Sequence, residues 1–479
     1  MSSVFRKCLI AIIGTTGVGK SQLAIELARK LNGEVINADA LQVYKGYGII
    51  TNKVTDSETT GVPHHLLGFV DPAKEYTVQE FEHDALTKIE EIHGRNRIPI
   101  LVGGTNYYIQ SVMFQKSLIR DPTGSPKNNQ QQTPDNDRCF EKTKVGKSNQ
   151  ELWDELRQID PIMAENWHPN NRRKVLRSLE VFHATGRRHS EWVAESEEAR
   201  KKEETLRLPT LVFWLYADTN VLDQRLDTRV DDMIKRGMFG ELDQLAKDLN
   251  DPAALSGQKD DFCVGLKQAI GFREFKAYLS SISDSEISAS ERERLKIVGI
   301  EEMKTSTRRY ARRQITWIRN KLLPECRSTA AKMTKAHSFV LDATDLSNWE
   351  SEVQNRALGI AQSFVGGSEL PNPRTTSDVA NKLLSEIKET PNSILAWKRH
   401  LCSVCSMSIK DSPNGEATEV WLNGDDEYRQ HLQSKQHKNN VRYRKRLAQA
   451  SEHGGTNELS SDISRPAKRL NNGLKDDSS

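Results

Sequence analysis

Residues 8–21 read CLIAIIGTTGVGKS. The apolar run Cys8-Leu9-Ile10-Ala11-Ile12-Ile13 reads as a buried strand, and it runs straight into Gly14, Thr15, Thr16, Gly17, Val18, Gly19, Lys20 and Ser21, a full match to G-x-x-x-x-G-K-[ST]. A tight glycine turn there lets backbone N–H groups surround phosphate oxygens, with Lys20 reaching the outer phosphate and the Ser21 hydroxyl placed for Mg²⁺. From Gln22 to Leu31, apolar residues at Leu23, Ala24, Leu27, Ala28 and Leu31 have the spacing of a helix with one buried face. Strand, loop and helix together predict an α/β fold on a parallel sheet. The loop alone does not say which phosphorylated compound it holds.

Working outward, strand signals recur at Glu34–Ile36 and Ile98–Val102, with helical spacing at Val78–Ile92 between them. Residues 121–150 are rich in Pro, Asn, Gln and Lys without an apolar period, which predicts a disordered insertion. Leu152 to Val193 is helical by period and Leu211–Ala217 returns to the sheet, so an all-helical lobe at about 115–205 is inserted between strands. Helices follow at Val221–Arg236 and Gly240–Asn250, then an Arg-rich one ending near Leu322, then a last strand at Ser338–Leu341. The expected organisation is a P-loop core over 1–355, a linker over 356–394 with one weak helical pattern, a small unit at 395–447 and a disordered tail at 448–479. The small unit has too few apolar residues for a hydrophobic core, so a metal is expected to supply its stability.

In 479 residues, 69 Lys and Arg face 66 Asp and Glu, so net charge announces no nucleic-acid partner. Local charge does: Arg429 to Arg446 holds seven Lys or Arg and no acid, and Arg308, Arg309, Arg312, Arg313 and Arg319 share one predicted helix. A solvated helix face is the other reading of both stretches. Cys8, Cys139, Cys263, Cys326, Cys402 and Cys405 are too scattered for a disulfide framework, which predicts a reducing compartment. No apolar stretch approaches the roughly 20 residues that span a bilayer, so no membrane partner is expected.

Asp39 follows strand two. In an open parallel sheet the carboxyl ends of the strands face the crevice that also holds the phosphate loop, so Asp39 is placed to ligate Mg²⁺ or act as a general base, or else to cap the next turn. Strand Ile98–Val102 runs into Gly103-Gly104-Thr105 rather than an acid, which disfavours simple ATP hydrolysis. Arg225 and Arg229, four apart, share a helix face and could clamp a diphosphate, or pair with Asp223, Asp227 or Asp231. Cys402-x₂-Cys405, a gap of 25 residues, then His431-x₅-His437 is a zinc set in ligand type and pair spacing, with a long central gap and His400 as an alternative ligand. Lys438, Arg442, Arg444, Lys445 and Arg446 follow it and point to nucleic acid.

GTTGVGKS, NADALQVYKG (37–46), GVPHHLLGFVDP (61–72), PILVGGTNYYIQ (99–110), NNRRKVLRSLEVFHATGR (170–187), RLDTRVDDMIKRG (225–237) and RRYARRQITWIRN (308–320), taken in order, resemble the tRNA dimethylallyltransferases, also called tRNA isopentenyltransferases. The added finger resembles that of the eukaryotic branch. The resemblance implies transfer of a dimethylallyl group from dimethylallyl diphosphate to N6 of the adenosine 3′ of the anticodon, position 37, in tRNAs reading codons that begin with U. It implies Asp39 as the base, Asp39, Ala40, Leu41 and Gln42 against the extruded adenine, and the loop holding the diphosphate with Mg²⁺. Thr105 would sit beside the reacting centre, with Arg225 and Arg229 stabilising the leaving diphosphate. Asn171, Arg172, Arg173, Lys174 and Val175 would contact tRNA through its anticodon stem-loop, and Zn²⁺ would be structural. Ala40-Leu41 stands where the family usually has Ser-Met, which bears on the fit around the adenine. A monomer in the cytoplasm is expected, with mitochondrion and nucleus left open. A nucleoside or nucleotide kinase is the alternative, since loop, helical lid and paired arginines would also serve phosphoryl transfer.

Overall fold

The apolar runs become strands β1 (Leu9–Gly14), β2 (Gly33–Asn37), β3 (His64–His65), β4 (Ile98–Val102), β5 (Thr210–Tyr216) and β6 (Ala336–Asp342). They form one sheet in the order β3-β2-β4-β1-β5-β6, every pair parallel. The computed structural model describes residues 7–72, 74–115, 117, 147–202, 205–248, 265–282, 284–329, 332–387, 399–406 and 420–452. Because β1 lies between β4 and β5, the chain leaves it in one direction towards β2 and returns on the other side for β5 and β6. That reversal opens a crevice beyond the carboxyl end of β1, where the phosphate loop begins.

Strands buried on both faces explain the unbroken apolar runs. Ile10 and Ile12 pack with Leu23 and Leu27 of α1 (Lys20–Leu31) on one face, while Leu9, Ala11 and Ile13 pack on the other with Phe81 and Ile89 of α2 (Val78–Gly94) and Ile109 of α3 (Asn106–Met113). Glu34 is a charged side chain buried inside β2, 2 % exposed. Burial raises its pKa, but hydrogen bonds from Arg95 and from His65 and Arg97 outweigh that and hold the carboxyl at about 2.

The helical lobe comprises α4 (Asn149–Ile159), α5 (Pro161–Asn166) and α6 (Arg172–Thr185), followed by α7 (His189–Lys202). Its own core is Leu152, Leu156, Met163, Trp167, Val175 and Leu179. Ser148 and Glu151 form a capping box that starts α4, so order begins two residues before the end of the stretch expected to be disordered. Residues 121–146 of that stretch lie outside the described residues.

After β5 come α8 (Thr219–Lys235), α9 (Met238–Asp248) and the long α10 (Ala289–Trp317), which continues through a π-helical turn at Ile318–Leu322. The linker expected over 356–394 is corrected by two helices. α11 (Arg356–Gly366) buries Ala357, Ile360, Ala361 and Phe364 on the β1–α1 face of the sheet. α12 (Asp378–Ser385) and the next turn bury Ala380, Leu383, Leu384 and Ile387 on the opposite face. The Asn and Pro at 372–373 make only a tight turn between them, and the Ser377 side chain caps α12.

The C-terminal finger pairs β7 (Arg399–Leu401) antiparallel with β8 (Trp421–Asn423), followed by α13 (Gly424–Gln433) and α14 (Lys435–Glu452). α14 runs five residues into the expected tail; 453–479 lie outside the described residues.

Candidate active site

The phosphate loop is braced from behind. Gly19 has φ +88°, and a Cβ there would stand 2.6 Å from the Trp349 ring, so only glycine lets the loop close onto that ring. The Trp349 indole donates to Glu26 Oε1 and Oε2 at 3.1 and 3.2 Å, tying the segment after β6 to α1. Lys20 Nζ donates to the Thr15 carbonyl at 2.6 Å, folded back along the loop.

β2 and β4 deliver the second wall. The chain leaves β4 at Gly103, where a Cβ would lie 2.1 Å from the Ala38 carbonyl oxygen. The glycine pair after β4 is thus a close backbone approach that brings Thr105 beside Asp39. Thr105 N–H donates to Ala38 O at 3.2 Å and its hydroxyl accepts from Ala40 N–H at 3.0 Å. Asp39 Oδ1 accepts from Leu41 N–H at 3.0 Å, so one carboxylate oxygen does cap the turn. Its other oxygen lies 2.9 Å from where a Gly104 Cβ would stand.

Electrostatics join the two walls. Burial and the neighbouring Arg229 guanidinium push Lys20 down to about 7, while Asp39 pulls the other way. Arg229 is itself lowered by burial, opposed by Asp39. Burial, with the Asp39 carboxylate beside it, raises the Tyr310 phenol. Two cations and one carboxylate thus face each other across the crevice, a charge set suited to an anionic ligand and a proton acceptor.

The pairing expected as an alternative for Arg225 and Arg229 goes elsewhere. Asp223, Asp227 and Asp231 of α8 pair with Arg312, Arg308 and Lys304 of α10, forming a ladder of antiparallel helices with a four-residue step on each side. Arg308 and Arg312 are thereby explained without nucleic acid, and Arg319 pairs with Glu386. Arg225 directs its guanidinium to the carbonyls of Ala343 and Thr344, which fix the turn after β6. The two arginines therefore divide, and only Arg229 acts on Lys20 and Asp39.

Gln42 Nε2 donates to the carbonyls of Thr51 and Asn52 at 3.1 and 3.0 Å, holding the loop after β2, while Ala40 and Leu41 are half-buried beside it. In the lobe, Asn171 precedes α6, Arg173 is exposed, Arg172 donates to the Lys147 carbonyl at 2.8 Å, and Lys174 lies 4.3 Å from the Trp167 ring centroid. Val175 is corrected as an RNA-facing side chain: it is fully buried in the lobe core, because it lies on the apolar face of α6.

Sequence reasoning missed Gln314 and Tyr310 as site residues. Both donate to the Gly104 carbonyl, at 2.8 and 3.1 Å, and Gln314 Oε1 accepts from Thr16 N–H at 2.9 Å. The available signal was a polar residue on a buried helix stripe, since Gln314 continues the row Met303, Thr307, Ala311.

In the finger, the ligand atoms of Cys402, Cys405, His431 and His437 lie within 4.8 Å of one another. His437 Nδ1 is 3.4 and 3.5 Å from the two sulfurs and 3.2 Å from His431 Nε2. A tetrahedral zinc with ordinary bond lengths requires edges of about 3.5 Å for S···N and about 3.3 Å for N···N. The four residues are therefore compatible with zinc. His400 instead bonds Asp425 at 2.7 Å and stacks on Tyr428, which removes it as the alternative ligand.

A sequence model of the IPP transferase family matches residues 42–321, from the turn after Asp39 through α10. The chain belongs to the IPP transferase family. A tRNA dimethylallyltransferase of Saccharomyces cerevisiae is 37 % identical over 442 residues, covering 92 % of this chain and 94 % of that one. One of Homo sapiens is 36 % identical over 448 residues, 92 % of this chain and 87 % of its own. A crystal structure of a eukaryotic dimethylallyltransferase acting on tRNA superposes with TM-score 0.70 at 34 % identity, covering 93 % of this chain and 99 % of its own. The relatives' similarity therefore covers more of the chain than the family model does, 92 % of it against residues 42–321.

Proposed function

We propose that this chain transfers a dimethylallyl group from dimethylallyl diphosphate to tRNA, at N6 of adenosine 37 in tRNAs reading codons that begin with U. The observation that carries this is near full-length similarity to tRNA dimethylallyltransferases, on a chain whose phosphate loop and Asp39 share one crevice. In the reaction a bond forms between N6 and C1 of the donor, the C1–O bond to diphosphate breaks, and the N6 proton passes to Asp39. Lys20, Arg229 and the N–H groups of residues 17–21 receive the charge that builds on the departing diphosphate. Thr105 holds the Ala40 backbone and so fixes the carboxylate it neighbours. Mg²⁺, when bound, would add positive charge at the diphosphate, with the Ser21 hydroxyl as its protein ligand. Arg172, Arg173 and Lys174 of the lobe supply tRNA contacts, and zinc held by Cys402, Cys405, His431 and His437 folds the finger.

A kinase would use the same loop, but no carboxylate closes β4 and the full-length relatives carry a different name. Among the described residues no helix is long and apolar enough to cross a membrane. The protein is taken to act as a monomer in the cytoplasm. Mass spectrometry of tRNA nucleosides from cells lacking the protein tests the assignment: N6-dimethylallyladenosine should vanish, return with the wild type, and stay absent with Asp39→Asn. General-base removal predicts a fall of about 10²–10⁴ in transfer rate. Full restoration by Asp39→Asn would remove Asp39 as the base.

A further inference from the structure

Gln314 is 3 % exposed and spends both ends of its amide across the crevice. Its Oε1 accepts from Thr16 N–H in the phosphate loop, and its Nε2 donates to Gly104 O in the turn after β4. A Cβ on Gly104 would lie 3.0 Å from that Nε2 and 2.9 Å from Asp39 Oδ2, so the amide stands against the same turn that flanks the carboxylate. One helical turn earlier on α10, Tyr310 bonds the same carbonyl. A neutral amide of this length satisfies the pair, accepting at one end and donating at the other. A carboxylate could accept from Thr16 but would face the Gly104 carbonyl with no proton, and an apolar side chain would leave both groups unbonded.

We propose that Gln314 is a positioning residue for prenyl transfer: it locks the donor's phosphate loop to the turn that carries Thr105 and abuts Asp39, setting the distance between the reacting carbon and the base. Donor and acceptor walls come from different strands, and β1 and β4 pair only up to Val102. Beyond that point the register between the loop and the Asp39 turn depends on side chains, and among the described residues the Gln314 amide bonds both. A misplacement of about 1 Å in such a geometry costs about 10²-fold in rate without weakening either ligand's binding.

This inference rests on the prenyl-transfer reading, and the test separates the two. Wild type, Gln314→Met and Gln314→Glu are compared by single-turnover transfer at saturating dimethylallyl diphosphate and unmodified tRNA. Equilibrium binding of inorganic diphosphate and of tRNA, and thermal unfolding, are measured alongside. Gln314→Met should lose at least about 30-fold in the single-turnover rate while both dissociation constants move less than about threefold. Gln314→Glu should lose rate most at high pH and recover part of it at pH 5, where a protonated carboxyl again both donates and accepts. A saturated rate within threefold of wild type, with only the melting temperature lowered, would make Gln314 structural and overturn the inference. No transfer by the wild-type protein would instead overturn the reading beneath it.

Discussion

Lys20 sits at the point where chemistry and solution conditions meet. Burial and Arg229 hold Lys20 down at about 7 in the free protein, so it titrates near neutrality. A bound diphosphate favours the ammonium, so binding takes up a proton across the range above 7. Affinity for inorganic diphosphate should therefore weaken between pH 7 and 9 by up to about tenfold per unit. Lys20→Met should bind more weakly and lose that slope, which calorimetry in buffers of different ionisation enthalpy would detect as vanished proton uptake. A slope that survives in Lys20→Met would assign the proton to another group. At this scale the sequence reveals much but unevenly. Asp39 was legible because it is an acid directly after a buried strand, a position that in a parallel sheet has one place to go. Arg225 and Arg229 were not separable by spacing. Their roles divide through partners more than a hundred residues away, the carbonyls after β6 for Arg225 and Lys20 with Asp39 for Arg229. Gln314 was hidden for the same reason, because its value lies in which two backbone groups it meets.

Among elements, the finger illustrates how ligand geometry substitutes for a core. Among the described residues its buried apolar set is Cys402, Cys405 and Leu422, and two of those three belong to the cluster compatible with zinc. Chelating the metal, or replacing Cys402 with Ser, should therefore melt α13 and α14 while leaving the unfolding of the sheet unchanged, read as lost helical circular dichroism on an intact main transition. Lys438, Arg442 and Lys445 share one exposed face of α14, so the same variant should bind tRNA more weakly and with a smaller salt slope, by roughly two or three phosphate contacts. An unchanged slope would take the finger out of the RNA contact. The long gap before His431 in the sequence left His400 open as a ligand; in the structure its side chain instead bonds Asp425 and stacks on Tyr428. α11 and α12 show the opposite limit. Their sequences are short and flanked by Asn, Pro and Ser, which read as linker, and their apolar faces become legible only where sheet surface is waiting for them.

Over the whole molecule, the crevice of the sheet core, the helical lobe and the finger divide the work. The sheet order, the reversal at β1 and the close approach at Gly103 bring loop, base and cations together. α8 and α10 are fixed by their ladder of three ion pairs, so much of the basic charge on the core is already neutralised. The tRNA contacts proposed for the lobe and the finger fit a near-neutral chain whose basic charge is local. The phosphate loop, read alone, would name a nucleotide; the proposed function gives it a prenyl diphosphate instead. One measurement tests that assignment most directly. The protein is incubated with unmodified tRNA, Mg²⁺, carbon-labelled dimethylallyl diphosphate and γ-phosphorus-labelled ATP in the same tube. The prediction is carbon label on the tRNA in a prenylated adenosine, at a rate indifferent to ATP, with no phosphorus label moved to any nucleoside or nucleotide. Phosphorus transfer with no carbon on the tRNA would contradict it.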